Sequence, residues 1–269
     1  MISFIYYNQM SSFIKTDYEI LKTIDVIDIN SYKGVKDIPK LFRSILRSEA
    51  SYSWFAGGHA ALAVLFSKML GKKSIVVLGG YEVANCPEIN YGAVLNPKSV
   101  FFAKFALKYA DKVLSVDESL KEEAVVEYRL DGGNIEILPT GYDPEYFKPE
   151  GKKEGIVLTV APTSAYGRKG IPLFLEVAKK LPEYQFVIVG NGLSFKASLN
   201  VTYTGHLSDK NLLKYYQRAK VYCQLSYHEG LPNALCEAML CECVPVGTLR
   251  NGIPKAIGDT GYIVKVGDV

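Results

Sequence analysis

Short apolar runs alternate with longer stretches of helical periodicity along the first half of the chain. The runs are rich in valine, isoleucine and tyrosine, which is typical of strands. They predict strands at 3–7, 26–29, 52–55, 74–78, 112–116 and 135–138. Between them, helical periodicity covers 38–47, 60–70, 98–109 and 118–130. Strand–helix alternation of this kind predicts a parallel sheet with helices on both faces.

The alternation stops at a turn-rich, charged stretch around 139–153 and then restarts. The second half predicts strands at 155–160, 186–189, 201–204, 221–225 and 244–246, with helices at 171–180, 209–218 and 232–240. We therefore expect two Rossmann-like, doubly wound α/β domains, at 1–148 and 149–269. Ligands of such domains bind at the carboxyl ends of the strands, so we expect the site in a cleft between the two.

Composition narrows the class of protein. The chain has 269 residues, of which 48% are hydrophobic and 22% charged, and its formal net charge is +3. This balance is ordinary for a globular protein and too weak to predict nucleic-acid binding. The first residues read as a strand rather than as a signal peptide. Five cysteines form no disulfide or zinc pattern, so we expect buried thiols in a reducing cytoplasm and no metal site.

The segment 227–237, YHEGLPNALCE, carries the strongest candidate chemistry. It follows a predicted strand and opens a helix, with Pro232 at the expected first helical position. The free N–H groups of that turn form an anion site, and Gly230 lets a ligand approach the backbone. Glu229 lies at the mouth of the helix, whereas Glu237 lies five residues beyond Pro232, roughly 7.5 Å along the helix axis at about 1.5 Å per residue.

Two interpretations of these glutamates follow from their spacing. In the first, Glu229 lies near a bound sugar and Glu237 accepts hydrogen bonds from ribose hydroxyls. In the second, both are surface acids that the helix dipole favours.

The stretch EGLPNALCEAM at 229–239, followed by CECVPV at 241–246 and NGIP at 251–254, resembles the signature of family 4 glycosyltransferases. These are retaining enzymes of the GT-B fold. The segments 110–120, 137–143, 186–192 and 203–206 also fit, so the similarity covers nearly the whole chain and is looser before residue 110. The chain ends soon after the motif, so the resemblance implies a C-terminal domain that is short or incomplete.

The resemblance implies roles for residues of the second domain. Glu237 binds the donor ribose, and Glu229 lies beside the hydroxyls of the sugar. The N–H groups around Gly230, Leu231 and Asn233 hold the distal phosphate.

A phosphate clamp is implied less directly. Similar enzymes carry an arginine and a lysine after the first strand of the second domain, where this chain has VAPT at 160–163. Arg168 and Lys169 come slightly later, before a helix, and we expect them to neutralise the leaving diphosphate. The alternative is a solvated basic turn.

In the first domain the resemblance is weaker, because the turn after the first strand has no glycine. Gly79 and Gly80 are expected to admit substrate to the backbone. Tyr81 stands where related enzymes have a histidine, and Glu82 follows it. His59 is either an upstream histidine of the family or an ordinary polar residue at a helix start.

Together these residues predict a glycosyltransferase that moves a sugar from a nucleotide-diphosphate donor to a hydroxyl of a glycan, a lipid-linked acceptor or a small molecule. No metal is expected to be essential. A non-catalytic nucleotide-binding relative, and an epimerase or phosphorylase of the same fold, are the alternatives.

We expect a cytoplasmic protein that binds no nucleic acid. The inner face of the membrane is one further candidate partner, through a weak peripheral contact. Four basic residues between 36 and 47 suggest that contact, although a solvated helix face explains them as well.

Overall fold

The computed structural model describes residues 1–191 and 199–268. Gly192, which ends the 186–192 motif, and Val269, which ends the predicted second domain, lie outside the described residues. The chain divides into two compact units, Met1–Gly141 and Tyr142–Val269.

The first unit is a parallel sheet of six strands in the order β2-β1-β3-β4-β5-β6. The strands are β1 Ile2–Tyr7, β2 Ile27–Tyr32, β3 Ala50–Trp54, β4 Lys73–Leu78, β5 Lys112–Ser115 and β6 Ile135–Ile137. The helices are α1 Ser12–Lys22, α2 Ile38–Arg47, α3 Gly58–Met69, α4 Pro97–Tyr109 and α5 Glu118–Tyr128. The sequence predicts all of these elements except α1.

Helix α1 is missed because most of its residues are polar. Ile14 is its one buried residue, and Tyr18 and Leu21 follow at helical spacing. This short hydrophobic stripe is the pattern that indicates a helix, but the polar loop before it gives no sign of the residue at which the helix begins.

The second unit repeats the architecture with the order β12-β11-β10-β7-β8-β9. All of its strand pairs are parallel. The strands are β7 Glu154–Val160, β8 Gln185–Val189, β9 Val201–Tyr203, β10 Ala219–Gln224, β11 Val244–Thr248 and β12 Tyr262–Val264. The helices are α6 Ile171–Lys180, α7 Asp209–Arg218, α8 Asn233–Leu240 and α9 Ile253–Ile257. The short elements α9 and β12 are not predicted from the sequence.

Strand β8 shows why the second sheet needs helices on both faces. Phe186 and Ile188 pack in the core beneath α6, whereas Val187 and Val189 pack in the core with α7 and α8. Because successive side chains point to opposite faces, a strand that is apolar throughout must be covered twice. The predicted doubly wound α/β fold is confirmed.

The observed division of the chain lies before the predicted boundary at residue 148. Phe147 packs on the second core, and the Gln217 amide donates to the backbone oxygen of Lys148 at 3.2 Å. The Tyr142 hydroxyl donates to Asn233 Oδ1 at 2.7 Å. The stretch that reads as a linker is therefore attached to the second unit by contacts that its polar composition does not reveal.

Candidate functional site

The second-unit candidates gather at one point of the second sheet. Strands β7 and β10 lie side by side, and the chain continues from them toward opposite edges. Such a switch point leaves a crevice at the carboxyl ends of the two strands, where doubly wound folds bind ligands. The loop 161–170 follows β7 and the turn 225–232 follows β10, so both meet in this crevice.

Gly170 fixes how closely the two loops approach. It has a φ of 68°, and a Cβ there would lie 2.1 Å from the backbone oxygen of Leu225. The neighbouring contact is a hydrogen bond of 2.8 Å from the Tyr227 N–H to the Arg168 oxygen. No side chain fits between the loops at Gly170, so Arg168 and Lys169 are held against the turn that carries Glu229.

Arg168, Lys169 and Glu229 form one ionic cluster. Lys169 Nζ lies 2.6 Å and Arg168 Nη1 2.9 Å from Glu229 Oε1. Their side chains are mostly buried, with 15%, 20% and 11% of the surface of Lys169, Arg168 and Glu229 exposed. Arg168 Nη1 also donates to the backbone oxygen of His228 at 3.1 Å. The structure thus brings Glu229, which the sequence assigns to the sugar, together with Arg168 and Lys169, which it assigns to the diphosphate.

Two buried side chains that the sequence analysis does not single out complete this cluster. Ser226 Oγ and Gln224 Nε2 donate to Glu229 Oε1 at 2.9 and 3.2 Å. Gln224 also accepts from the Tyr222 hydroxyl at 3.2 Å, which sets the orientation of its amide. Their signal in the sequence is a polar residue near the end of the apolar run 221–225 and another directly after it.

The cluster keeps Glu229 ionised. Burial raises the pKa of this carboxyl, but the charges of Lys169 and Arg168 and the hydrogen bonds outweigh it and lower the pKa to about 2. Among the described residues, every recorded donor to the carboxylate ends on Oε1. Oε2 remains the oxygen available to a ligand.

Helix α8 begins beside the cluster, at Asn233 rather than at Pro232 as expected. Pro232 is the N-cap with φ −78° and ψ 99°, and its oxygen accepts from the N–H groups of Leu235 and Cys236. The φ of Pro232 fits a helix but its ψ does not, so this residue precedes the helix instead of starting it. Within 1–191 and 199–268, no protein acceptor is recorded for the N–H groups of Gly230 and Leu231.

Glu237 occupies a different environment on α8. Its Oε2 accepts from the hydroxyl of the fully buried Tyr216 at 3.0 Å. Burial raises the pKa of Glu237, the bond from Tyr216 opposes this, and the charge of Asp209 raises the pKa further. Within the described residues, no recorded cation balances this carboxylate in the way that Arg168 and Lys169 balance Glu229.

Buried tyrosines connect the two glutamates. The ring of Tyr216, which binds Glu237, lies 6.1 Å from the ring of Tyr222, which binds Gln224 and through it Glu229. Burial raises the pKa of Tyr222, and the charges of Glu237 and Glu229 raise it further. The charges of both carboxylates therefore oppose ionisation of the Tyr222 hydroxyl.

In the first unit, His59 lies at the equivalent switch point, between β1 and β3. Its ring packs at 5.8 Å from that of Tyr7, and its Nε2 lies 2.8 Å from the oxygen of Trp54. Burial lowers the pKa of His59, which favours the neutral imidazole. The contact with Trp54 ties the start of α3 to the end of β3.

Glu82 points into the first unit instead of toward solvent. Its carboxylate accepts from the N–H groups of Ala56 and Gly80 at 2.9 Å and of Gly79 at 3.3 Å, and the residue is 3% exposed. Burial raises its pKa, and these N–H groups oppose the rise. Glu82 thus joins the ends of β3 and β4 and occupies the backbone donors of Gly79 and Gly80 that the sequence offers to a substrate. Tyr81 remains half exposed, with its ring against Tyr91.

Metal ligands and membrane spans are the remaining features that bear on the site. In the part of the chain that the structure describes, no group of three or more His, Cys, Asp or Glu side chains is arranged to hold a metal ion. No described helix is long and apolar enough to cross a membrane.

Sequence comparisons identify proteins to which this chain is similar. The family model described as "Glycosyl transferases group 1" matches residues 143–269. Human phosphatidylinositol N-acetylglucosaminyltransferase has a subunit that is 25% identical over 168 residues, which is 56% of this chain and 34% of the relative. The serotype-specific mannosyltransferase WbdA of Escherichia coli is 27% identical over 159 residues, which is 55% of this chain and 19% of the relative. The chain thus spans about a third or less of the length of these relatives.

Solved structures match both units of the chain. Anabaena HepE in complex with UDP and glucose aligns with a TM-score of 0.79 at 13% identity, over 99% of this chain and 86% of that one. Sucrose-phosphate synthase of Thermosynechococcus elongatus aligns with a TM-score of 0.76 at 15% identity, over 100% and 87%. The fold of the two sheets matches that of these GT-B structures, and residues 143–269 are similar to the group 1 glycosyl transferase family.

Proposed function

We propose that this protein is a retaining glycosyltransferase of family 4 that transfers a sugar from a nucleotide-diphosphate donor to an acceptor hydroxyl. The observation that carries the proposal is the buried cluster of Arg168, Lys169 and Glu229 at the switch point of the second sheet. The glycosyltransferase names of its relatives support the reaction class.

The cluster suits a diphosphate that leaves with extra negative charge. Two cations and one carboxylate give it a net charge of about +1, in a buried setting where charge is screened little. Arg168 and Lys169 neutralise the leaving phosphate, and the N–H groups of Gly230, Leu231 and Asn233 add donors at the start of α8. These side chains supply positive charge without a metal ion.

Glu229 recognises the sugar in this proposal and does not attack it. A carboxylate with a pKa of about 2, and with four donors on one oxygen, is a weak base and a weak nucleophile. Its Oε2 accepts hydrogen bonds from sugar hydroxyls, which orients the anomeric carbon over the cations. The acceptor hydroxyl then attacks from the face that the diphosphate leaves, so the configuration is retained.

Glu237 binds the ribose of the donor. Burial raises the pKa of Glu237, and among the described residues no cation offsets this, so two ribose hydroxyls would supply further donors to the carboxylate. Because HepE is solved with UDP and with UDP-glucose, uridine nucleotides are the first donors to test. The name of the human relative favours phosphatidylinositol as acceptor, and a glycan is the acceptor that the resemblance implies. The free, mostly buried cysteines support a reducing compartment, so we place the reaction in the cytoplasm.

Donor turnover tests the reaction directly. UDP-glucose, UDP-N-acetylglucosamine and GDP-mannose are each incubated with phosphatidylinositol vesicles or mannose oligosaccharides, and NMR follows the anomeric proton of the product. We expect a product with the configuration of the donor. An inverted product contradicts retention, a donor epimerised without acceptor indicates an epimerase, and nucleotide binding without turnover indicates a binding protein.

Calorimetry tests the ribose site. Glu237→Gln keeps the size of the side chain but removes its charge, so UDP affinity is expected to fall about tenfold or more, as for a lost hydrogen bond to a charged group. Glu242→Gln, at an exposed position just after α8, is the matched control and should bind UDP like the native protein. Equal affinities for all three proteins would remove Glu237 from the site.

The same substitution has an opposite effect on stability. Because the folded-state pKa of Glu237 is raised, its ionisation costs stability above the unfolded pKa, and the cost vanishes at lower pH, where both states are protonated. Glu237→Gln should therefore melt at a higher temperature than the native protein at neutral pH, and the difference should disappear below about pH 4. Lower stability at neutral pH would show that the charge of Glu237 is balanced.

A double-substitution cycle separates charge balance from catalysis. Arg168→Met leaves Glu229 short of a cation and should cost about 1–3 kcal/mol of unfolding free energy. Arg168→Met combined with Glu229→Gln should regain most of that stability but not the transfer rate, which should stay about a hundredfold below native. Arg218→Met, which breaks the exposed pair with Glu154, is the control and should change both quantities little. Recovery of the rate in the double variant would refute the clamp.

A further inference from the structure

Helix α4 exposes aromatic rings on the side opposite to its packing surface. Ala103, Ala106 and Leu107 are buried in the first unit. On the outer side, Phe101 is 66% and Phe102 40% exposed. Tyr109 continues this outer side at the C-terminal end, with 41% of its surface exposed. Because α4 is apolar on both sides, its outer side exposes hydrophobic surface to water, which is typical of an interaction site.

Unpaired lysines surround these rings. Lys98, Lys104 and Lys108 are exposed, and among the described residues none of them forms an ion pair. The helix sequence PKSVFFAKFALKY contains no acidic residue. Lys108 Nζ lies 5.3 Å from the centre of the Tyr109 ring. The surface is therefore both apolar and positive.

The neighbouring helix α3 extends this surface. It packs beside α4, its sequence GHAALAVLFSKM has no acidic residue, and it exposes Leu65 by 39% and Met69 by 69%. We call the exposed residues of the two helices the α3–α4 face: Leu65, Met69, Lys98, Phe101, Phe102, Lys104, Lys108 and Tyr109.

Helix α2, which the sequence suggests as a membrane contact, exposes Leu46 by 50% and, just before its start, Val35 by 78%, but no aromatic ring. Leu41 and Ile45 lie in the core, and the ring of Phe42 packs against Phe66 of α3 at 5.1 Å. Lys36, Lys40, Arg43 and Arg47 are exposed around it. Both interpretations of these basic residues, a membrane contact and a solvated helix face, therefore stay open, and the exposed aromatic rings distinguish α4 from α2.

The α3–α4 face adjoins the carboxyl edge of the first sheet. Helix α4 follows the loop after β4, so its first turns start at that edge. The ring of Phe102 lies 3.9 Å from a Cβ placed on Gly58, the residue before His59. A surface that held α4 would thus hold the edge where the sequence places the acceptor residues.

We propose that the α3–α4 face docks on an anionic lipid bilayer. Lysines bind negatively charged headgroups, and aromatic and aliphatic side chains enter the boundary between headgroups and acyl chains. The apolar centre with cations around it, and the lack of acidic side chains on both helices, match that interface in charge and polarity. The docking does not depend on the proposed transfer reaction.

Two triple variants of equal charge test the location of the contact. Lys98→Gln, Lys104→Gln and Lys108→Gln remove three charges from α4, whereas Lys36→Gln, Lys40→Gln and Arg43→Gln remove three from α2 and its approach. Co-sedimentation uses vesicles of phosphatidylcholine and phosphatidylglycerol in equal parts, at about 0.15 M salt. The α4 variant should bind roughly a hundredfold more weakly than the native chain, and the α2 variant should bind like it.

A fluorescent reporter tests whether the aromatic residues enter the bilayer. Phe101→Trp adds an exposed indole to a chain whose native Trp54 is 2% exposed. Its emission should shift to shorter wavelength on the anionic vesicles. Tyr262→Trp, at a position 67% exposed in the second unit, should show no shift.

Three results would overturn the proposal. They are no binding of the native chain to the anionic vesicles, equal loss of binding in the two triple variants, and no shift of the Phe101→Trp emission. Self-association without lipid that Phe101→Ser abolishes would assign the face to a second copy of the chain instead.

Discussion

A buried carboxylate stays ionised only where cations and hydrogen-bond donors outweigh the cost of leaving water, and Glu229 meets that condition at the switch point of the second sheet. The neighbouring loops and strand end hold the residues of this cluster in contact. Gly170 brings the loop after β7 against the turn after β10 and so places Arg168 and Lys169. Gln224 completes the set of donors from the end of its strand. Loss of Arg168 or Lys169 would leave the buried charge of Glu229 with one cation instead of two.

Glu229, just before α8, and Glu237, within it, are carboxylates in two different electrostatic environments. Glu229 has its charge balanced by Arg168 and Lys169, so its pKa falls. Burial raises the pKa of Glu237, and the hydrogen bond that its carboxylate accepts from the Tyr216 hydroxyl does not offset it. The first is an acceptor that is fixed before a ligand arrives. The second gains most from a ligand that brings hydroxyl donors. This difference supports separate tasks for the two residues in the proposed reaction.

The first unit uses similar physics for a different purpose. Glu82 also sits in a cradle of donors, but these are backbone N–H groups, and they join the ends of β3 and β4. Because the carboxylate fills its own cradle, this acid acts within the fold. The chemistry that the first unit offers to the outside is the aromatic and basic surface of α3 and α4.

The alternation of strands and helices, the doubly wound class and the position of the 229–237 motif follow from the sequence, because hydrophobic periodicity and helix-start chemistry are local. Other features required the tertiary structure. Residues 142–148 join the second unit through contacts with α7 and α8, and Glu82 turns inward to donors on two strands. Arg168 pairs with Glu229 because two loops that are distant in the sequence come into contact. The charges of Arg168 and Lys169 lower the pKa of Glu229, whereas burial raises the pKa of Glu237. Burial and charge depend on neighbours from remote parts of the chain, and these exist only once the sheet is assembled.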